Sequence, residues 1–302
     1  MPDTRRRLAL FLLWTTPLLW SCNYLIARAS VGVIAPHQLA LWRWLLAFAL
    51  MLPFAWAPLT RKPRLWLREW RQLAVLGGLG MWVCGAFVYQ GGQTTAALNI
   101  GLIYAACPVG IALLSAKLLH ERIAPAQAAG GALALLGVVF VILKGDASNL
   151  LAFRLTPGDA WIVVAAAAWV VYSVLPLRWH SVLAPSARVA AAALAGVIVM
   201  LPLTLAEALL VDTPAFSGRA LLLVVLAAVL PGALSYSAYA LVQHELGAAR
   251  SGLMLYLAPL YAAALAWGLL GEPPRLYHAI GAAFILPSIA LSTRAAPRRR
   301  EP

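Results

Sequence analysis

The stretch NIGLIYAACPVGIALLSAKLLHERIAPAQAAGG, residues 99–131, returns as RSGLMLYLAPLYAAALAWGLLGEPPRLYHAIGA, residues 250–282. At a constant offset of 151, Gly101 meets Gly252, Leu102 meets Leu253 and Pro108 meets Pro259. Leu118 and Leu119 meet Leu269 and Leu270, Glu121 meets Glu272, and Gly130 meets Gly281. Upstream the offset becomes 149: Trp20 meets Trp169, and Met51-Leu52-Pro53 meets Met200-Leu201-Pro202. A loop tolerates the two-residue difference between these blocks. The chain therefore reads as two copies of one pattern, and the small-x3-small pairs Ala97/Gly101 and Ala248/Gly252 sit at matching places in both.

The medium in which such copies fold follows from composition. Of 302 residues, 63% are hydrophobic and 11% charged, with a mean hydropathy of +0.85. A soluble domain has roughly 45–50% apolar and about 25% charged residues, so a soluble enzyme, a nucleic-acid module and a disordered chain are excluded together. Apolar runs long enough to cross a hydrocarbon core of about 30 Å fall at 8–29, 36–58, 72–93, 97–118, 124–143, 158–178, 187–210, 220–243, 248–270 and 274–293. The expected fold is all-α and integral to the membrane, with ten transmembrane helices. Residues 1–145 form the first repeat, 157–294 the second, and 295–302 a basic cytoplasmic tail. Five spans per copy is an odd number, so the second copy enters the bilayer from the opposite side. A 5+5 inverted repeat around a central cavity lets one site face either side by a nearly symmetric rearrangement, which is an arrangement suited to a carrier.

Charge placement supports this topology. The formal charge is +13, from 23 basic and 10 acidic residues. With the N-terminus inside, 17 Lys and Arg fall on the cytoplasmic side and 5 on the other, with Arg43 inside a span. That asymmetry obeys the positive-inside rule and places both termini in the cytoplasm. The charge is topology information, and no nucleic-acid partner is expected. Arg5-Arg6-Arg7 before an apolar run resembles a signal peptide, but nine further spans without a small-x-small cleavage site favour a retained first helix. Arginine outnumbers lysine 20 to 3 in an alanine-rich chain, which hints at a GC-rich bacterial genome, and the expected location is the cell inner (plasma) membrane. Cys22, Cys84 and Cys107 lie in apolar runs without CxxC spacing and read as small buried residues.

Several polar and aromatic residues share helical faces. Thr16, Trp20, Asn23 and Ala27 share one on the first span, and Trp169, Tyr172 and Pro176 match it on the sixth. Trp82, Ala86, Tyr89 and Gln93 do so on the third, Tyr236, Tyr239 and Gln243 on the eighth, and Tyr256, Leu260 and Trp267 on the ninth. Tyr and Trp combine an apolar ring with one hydrogen-bonding group, so such faces either line a cavity for an amphipathic substrate or pack against one another. Trp14, Trp56, Trp66, Trp70 and Trp161 lie near span ends, where aromatic belts form. Asn23 either bonds across helices or binds substrate, since an unpaired buried amide costs several kcal/mol. Arg43, between Trp42 and Trp44, is costly inside a span. It either contacts a substrate carboxylate, or snorkels, or pairs with Glu207 or a helix C-terminus. Pro108 and Pro259, each removing a helical hydrogen bond, mark symmetric kinks or gates. Glu121 and Glu272 precede prolines that begin the next helix and suit a helix N-terminus.

Ten spans in a 5+5 repeat, the WSCNYLIAR stretch at Trp20–Arg28, and the duplicated Pro-x12-Glu closing the fourth and ninth spans resemble the drug/metabolite transporter superfamily, EamA type. The resemblance covers nearly the whole chain, and the aromatic density is similar to that of the bacterial aromatic amino acid exporters. It implies a basket in which spans 1–4 and 6–9 surround the cavity, with spans 5 and 10 peripheral, and export of small metabolites or amino acids.

No Walker sequence is present and no metal-ligand spacing joins the five histidines, so neither ATP, metal nor any other cofactor is expected. Adjacent candidates such as His120 and Glu121 cannot face each other on one helix, which argues against a membrane enzyme. The nearest acid to mid-membrane is Glu207, at the external end of span 7. The reading is therefore export of neutral or aromatic amino acids by alternating access down their gradient, from a monomer or weak homodimer. A drug or amphipathic-metabolite exporter driven by proton antiport is the alternative.

Overall fold

The structure is a computed structural model that describes residues 2–61, 63–95, 97–152, 154–270 and 273–294; Glu272 and the basic tail 295–302 lie outside the described residues. Among the described residues every regular element is helical. The main helices are α1 (Pro2–Ser30), α2 (Pro36–Arg61), α3 (Trp70–Gly77, a π turn Gly78–Val83, and Cys84–Gly91) and α4 (Ala97–Ala105 and Cys107–Leu119). α5 (Pro125–Ile142), α6 (Pro157–Arg178) and α7 (Pro185–Leu210) follow. Then come α8 (Gly218–Ala228, a π turn Val229–Leu234, and Ser235–Leu246), α9 (Ala248–Leu253, a 3-10 turn Met254–Leu257, and Ala258–Leu270) and α10 (Leu276–Arg294). Nine of these stretches are long and apolar enough to cross a membrane, and Leu276–Ser292 is a shorter apolar helix.

Prolines set many of the starts. Pro125, Pro157 and Pro185 occupy first-turn positions, where the missing N–H would have lacked a helical partner anyway. Thr156 and Asp159 close a capping box on α6. Gly247, at φ +84°, turns the chain between α8 and α9, in a region that glycine enters without steric cost. Large apolar side chains such as Phe54, Leu113, Leu136 and Ile198 stay exposed on the outer surface, while the interior is apolar too. A helix apolar all round belongs in a lipid environment.

The helices pack in matched sets. α1 lies on α8 and α3 on α6; α1 lies on α9 and α4 on α6; α3 lies on α7 and α2 on α8. Exchanging the first five helices for the last five turns each of these contacts into its counterpart. The pairs α2–α7, α4–α9 and α5–α10 map onto themselves. Small residues permit the closest crossings: a Cβ on Gly77 would lie 2.6 Å from the Ala192 carbonyl oxygen, and one on Gly137 3.1 Å from that of Gly281.

Backbone irregularities follow the same offset. The π turns Gly78–Val83 and Val229–Leu234 are 151 residues apart, as are Ala106, where α4 breaks, and Leu257, where the 3-10 turn of α9 ends. Pro108 and Pro259, expected to kink continuous helices, instead follow real interruptions and begin new helical segments. A proline cannot continue the ladder behind it, and π turns and 3-10 stretches inside helices recur at functional sites.

Four of the acids are spent on helix ends. Glu207 accepts from the backbone N–H of His37 and Gln38 at the start of α2 (3.1 and 3.2 Å) and sits 2.9 Å from His37 Nδ1. It therefore does not pair with Arg43, one of the expected possibilities. Glu69 accepts from Ser181 Oγ and Val182 N–H ahead of α7. Asp159 accepts from Thr156 N–H and from Asn99 Nδ2. Glu121 accepts from Ala248 and Ala249 N–H at 3.1 and 3.2 Å. It thus caps α9, across the repeat boundary, and not α5, the helix that follows it in sequence. Anionic acceptors complement the positive helix N-terminus, and this one joins α4 to α9 at the end that the charge asymmetry assigns to the cytoplasm. Glu121→Ala is expected to lower stability by about 0.5–2 kcal/mol, read as a lower thermal midpoint in detergent, with Glu121→Gln intermediate.

Candidate functional site

Between the two sets of helices lies a cavity of about 120 Å³. α1 contributes Trp20 and Asn23, α2 Arg43, α3 Cys84 and Val88, and α4 Gly101, Tyr104 and Ala105. α6 contributes Trp169, α8 Tyr236, and α9 Leu255, Tyr256, Ala258 and Pro259. Val138 of α5 also reaches the wall, so this helix is less peripheral than expected. The interruptions of α4 and α9 both fall at the cavity, because Ala105 on one side and Leu255, Tyr256, Ala258 and Pro259 on the other belong to its lining.

Its apolar side is a nest of rings. Trp20 meets Trp169 edge-on at 5.2 Å and Tyr239 at 5.1 Å; Trp169 stacks on Tyr239 at 5.3 Å and lies 5.5 Å from Tyr172. Tyr236 is 5.7 Å from both Trp169 and Tyr172. These separations are the favoured ones for aromatic pairs. Trp20 and Trp169, matched by the sequence repeat, thus touch each other across the two halves. Tyr239 donates to Ser173 Oγ at 3.0 Å, and Gln243 donates to the Ser173 carbonyl at 2.6 Å. Tyr172 and Tyr239 therefore support the ring nest from behind, outside the lining itself.

The polar side centres on Arg43, only 3% exposed. Its Nη1 donates to Tyr89 OH at 3.0 Å and lies 3.5 Å from Asn23 Oδ1; its Nη2 donates to the Pro231 carbonyl at 2.8 Å. The guanidinium carbon rests 4.9 Å from the Trp44 ring centroid, a cation–π distance. Tyr89 donates to Asn23 Oδ1 at 2.8 Å. Asn23 therefore bonds across helices, the first of its two expected roles, from a place in the cavity wall. Arg43 neither snorkels nor meets a carboxylate: its recorded partners are neutral oxygens. Tyr89 reaches the cavity through Arg43 and Asn23.

Two carbonyls here have no signature as side chains. Tyr236 donates its hydroxyl to the Gly80 carbonyl at 2.8 Å, and Arg43 donates to that of Pro231. Gly80 and Pro231 occupy equivalent places in the two π turns, 151 residues apart. Each carbonyl accepts from a cavity side chain of the opposite half. A signal did exist in the sequence, since a glycine and a proline stand at matching offsets inside apolar runs. Trp44, fully buried under Arg43, was likewise unassigned.

Other expected residues lie elsewhere. Trp82 packs edge-on against Phe87 at 5.5 Å, which in turn meets Trp161 at 4.7 Å. The π turn rotates Trp82 off the face it would share with Tyr89 in a regular helix. Gln93 is exposed in the turn after α3. Pro108 is buried but outside the lining. Trp267 is 59% exposed and faces outward. Trp56 and Trp70 are exposed near helix ends, as expected of belt residues. The three cysteines are free thiols.

Residues 7–143 and again 156–294 match the EamA-like transporter family. Among curated proteins, the chain is 31% identical to a probable terminal-alkyne amino-acid exporter of Streptantibioticus cattleyicolor, over 97% of this chain and 96% of that one. It is 25% identical to an uncharacterized transporter of Archaeoglobus fulgidus, over 93% and 96% of the two chains. A crystal structure of a protein 24% identical in sequence superposes with a TM-score of 0.76 over 95% of this chain and 97% of the other. At that identity the likeness concerns the fold.

Proposed function

Because the chain belongs to the EamA-like transporter family, in the drug/metabolite transporter superfamily, and is a multi-pass membrane transporter, we propose that it exports neutral and aromatic amino acids by alternating access. One observation carries this reading. A buried guanidinium with only neutral partners borders a cavity whose largely apolar wall carries the rings of Trp20, Tyr104, Trp169, Tyr236 and Tyr256. An amino acid's carboxylate matches the first and its side chain the second, in the manner of pockets that combine an apolar body with a few oriented polar groups. The name borne by the Streptantibioticus relative agrees with it. The matched helix contacts and π turns support an inverted repeat of ten spans. In this reading the Glu121 cap holds the cytoplasmic ends of α4 and α9 together in one state and releases them in the other.

Among the described residues no carboxylate or histidine lines the cavity, and intramembrane proton relays use such groups. Flux down the metabolite gradient is therefore favoured over proton antiport. The test is counterflow of a panel of labelled amino acids in proteoliposomes, with and without an imposed pH gradient. Aromatic and large neutral residues should exchange fastest, with the gradient changing little. Exchange confined to cations, or accumulation that follows the pH gradient and vanishes in Glu207→Gln, would overturn the proposal.

A further inference from the structure

Three residues of the cavity wall keep a buried polar atom without a protein partner: Arg43 Nε, Trp169 Nε1 and Tyr256 OH. Two of these can only donate, and the third can donate. Of the neutral acceptors on the wall, Asn23 Oδ1 is already engaged, taking Tyr89 and facing Arg43; Tyr236 donates its hydroxyl proton to the Gly80 carbonyl, and Cys84 Sγ points to the Ala165 carbonyl at 3.4 Å. Four acids are held at helix ends instead: Glu207 at α2, Glu121 at α9, Asp159 at α6, and Glu69 at the chain entering α7. Among the described residues the lining is thus rich in donors, carries one positive charge and includes no carboxylate to face a cation.

Resting on the carrier reading above, we infer that the cavity selects the acceptor atoms of its substrate and offers the ammonium group no ionic partner. The carboxylate is taken by Arg43, and a second, uncharged acceptor by the Trp169 indole N–H and the Tyr256 hydroxyl. The substrate class is then wider than amino acids. It includes 2-oxo acids, 2-hydroxy acids and N-acylated amino acids with an aromatic or branched apolar body, and it leaves out the corresponding amines and esters. Leaving a buried donor unpaired costs more than a neutral hydrogen bond gains, so ligands that satisfy these donors are strongly preferred over those that cannot.

The experiment measures binding to the purified full-length protein by thermal shift and by quenching of tryptophan fluorescence, beside counterflow in proteoliposomes. The ligands are phenylalanine, phenylpyruvate, phenyllactate, N-acetylphenylalanine, 3-phenylpropionate, phenethylamine and phenylalanine methyl ester. The oxo, hydroxy and N-acetyl acids should bind within about threefold of phenylalanine or more tightly, and the amine and the ester roughly 30-fold or more weakly. Trp169→Phe keeps a ring and removes the indole donor. It should weaken phenylpyruvate about 3–10-fold more than 3-phenylpropionate, which lacks the second acceptor. Tyr256→Phe should do the same without touching the ring nest. Phenethylamine binding as well as phenylpyruvate would overturn the inference even where phenylalanine is transported. Normal binding order without counterflow would overturn the export reading and leave the inference standing. Equal losses for phenylpyruvate and 3-phenylpropionate in both variants would remove the second acceptor site, and no binding by any acid would sink both readings.

Discussion

Arg43→Met should cut counterflow of a carboxylate substrate by about 10–100-fold while moving the thermal midpoint of the purified protein little. The first number follows from a charge-assisted bond worth roughly 1.5–3 kcal/mol, with each 1.4 kcal/mol a factor of ten. The second follows from two opposed terms. Methionine leaves the Pro231 carbonyl without its 2.8 Å donor, at about 1–3 kcal/mol. It also relieves a guanidinium that is 3% exposed and has no recorded carboxylate partner, a desolvation penalty of several kcal/mol. Arg43→Lys keeps the charge but loses the planar fork and should recover only part of the flux. Paired measurements of midpoint and flux separate the outcomes: a large fall in both marks a structural cation, whereas lost flux at constant midpoint marks a substrate contact.

Trp169→Ala is expected to do the opposite, lowering stability and transport together. Trp169 lies within 6 Å of Trp20, Tyr172, Tyr236 and Tyr239, so truncation opens a void at the contact between the halves. Large aromatic truncations in packed interiors cost about 3–5 kcal/mol. The same void should relax selectivity toward bulkier side chains, visible as a reordering of the amino-acid panel. A variant that keeps its midpoint and its substrate order would show that the ring nest is neither wall nor keystone.

The residues whose positions were legible in advance are those whose role is local. Pro108 and Pro259 stand at matching offsets just after the interruptions of α4 and α9, because a missing N–H acts on its own turn. Trp20 and Trp169 matched each other in the repeat and meet in space. Trp82 leaves the Tyr89 face because a face count assumes 3.6 residues per turn, and the π turn Gly78–Val83 shifts side chains around the axis. Gln93 lies beyond the end of α3, where helical spacing no longer places a side chain. Sequence order points Glu121 to α5, while its carboxylate reaches α9.

Hydrophobic run length, the placement of Lys and Arg, and the duplicated pattern determine by themselves that this is a membrane protein of helical spans in two related halves. Each of those signals depends only on the chain and the bilayer that solvates it. Which oxygens meet Arg43 and which helices Glu207 and Glu121 cap depend on residues some 20 to 188 positions apart. Only packing brings such residues together, because the cost of burying a polar group is settled by whichever partner lies within about 3 Å and not by its distance along the chain.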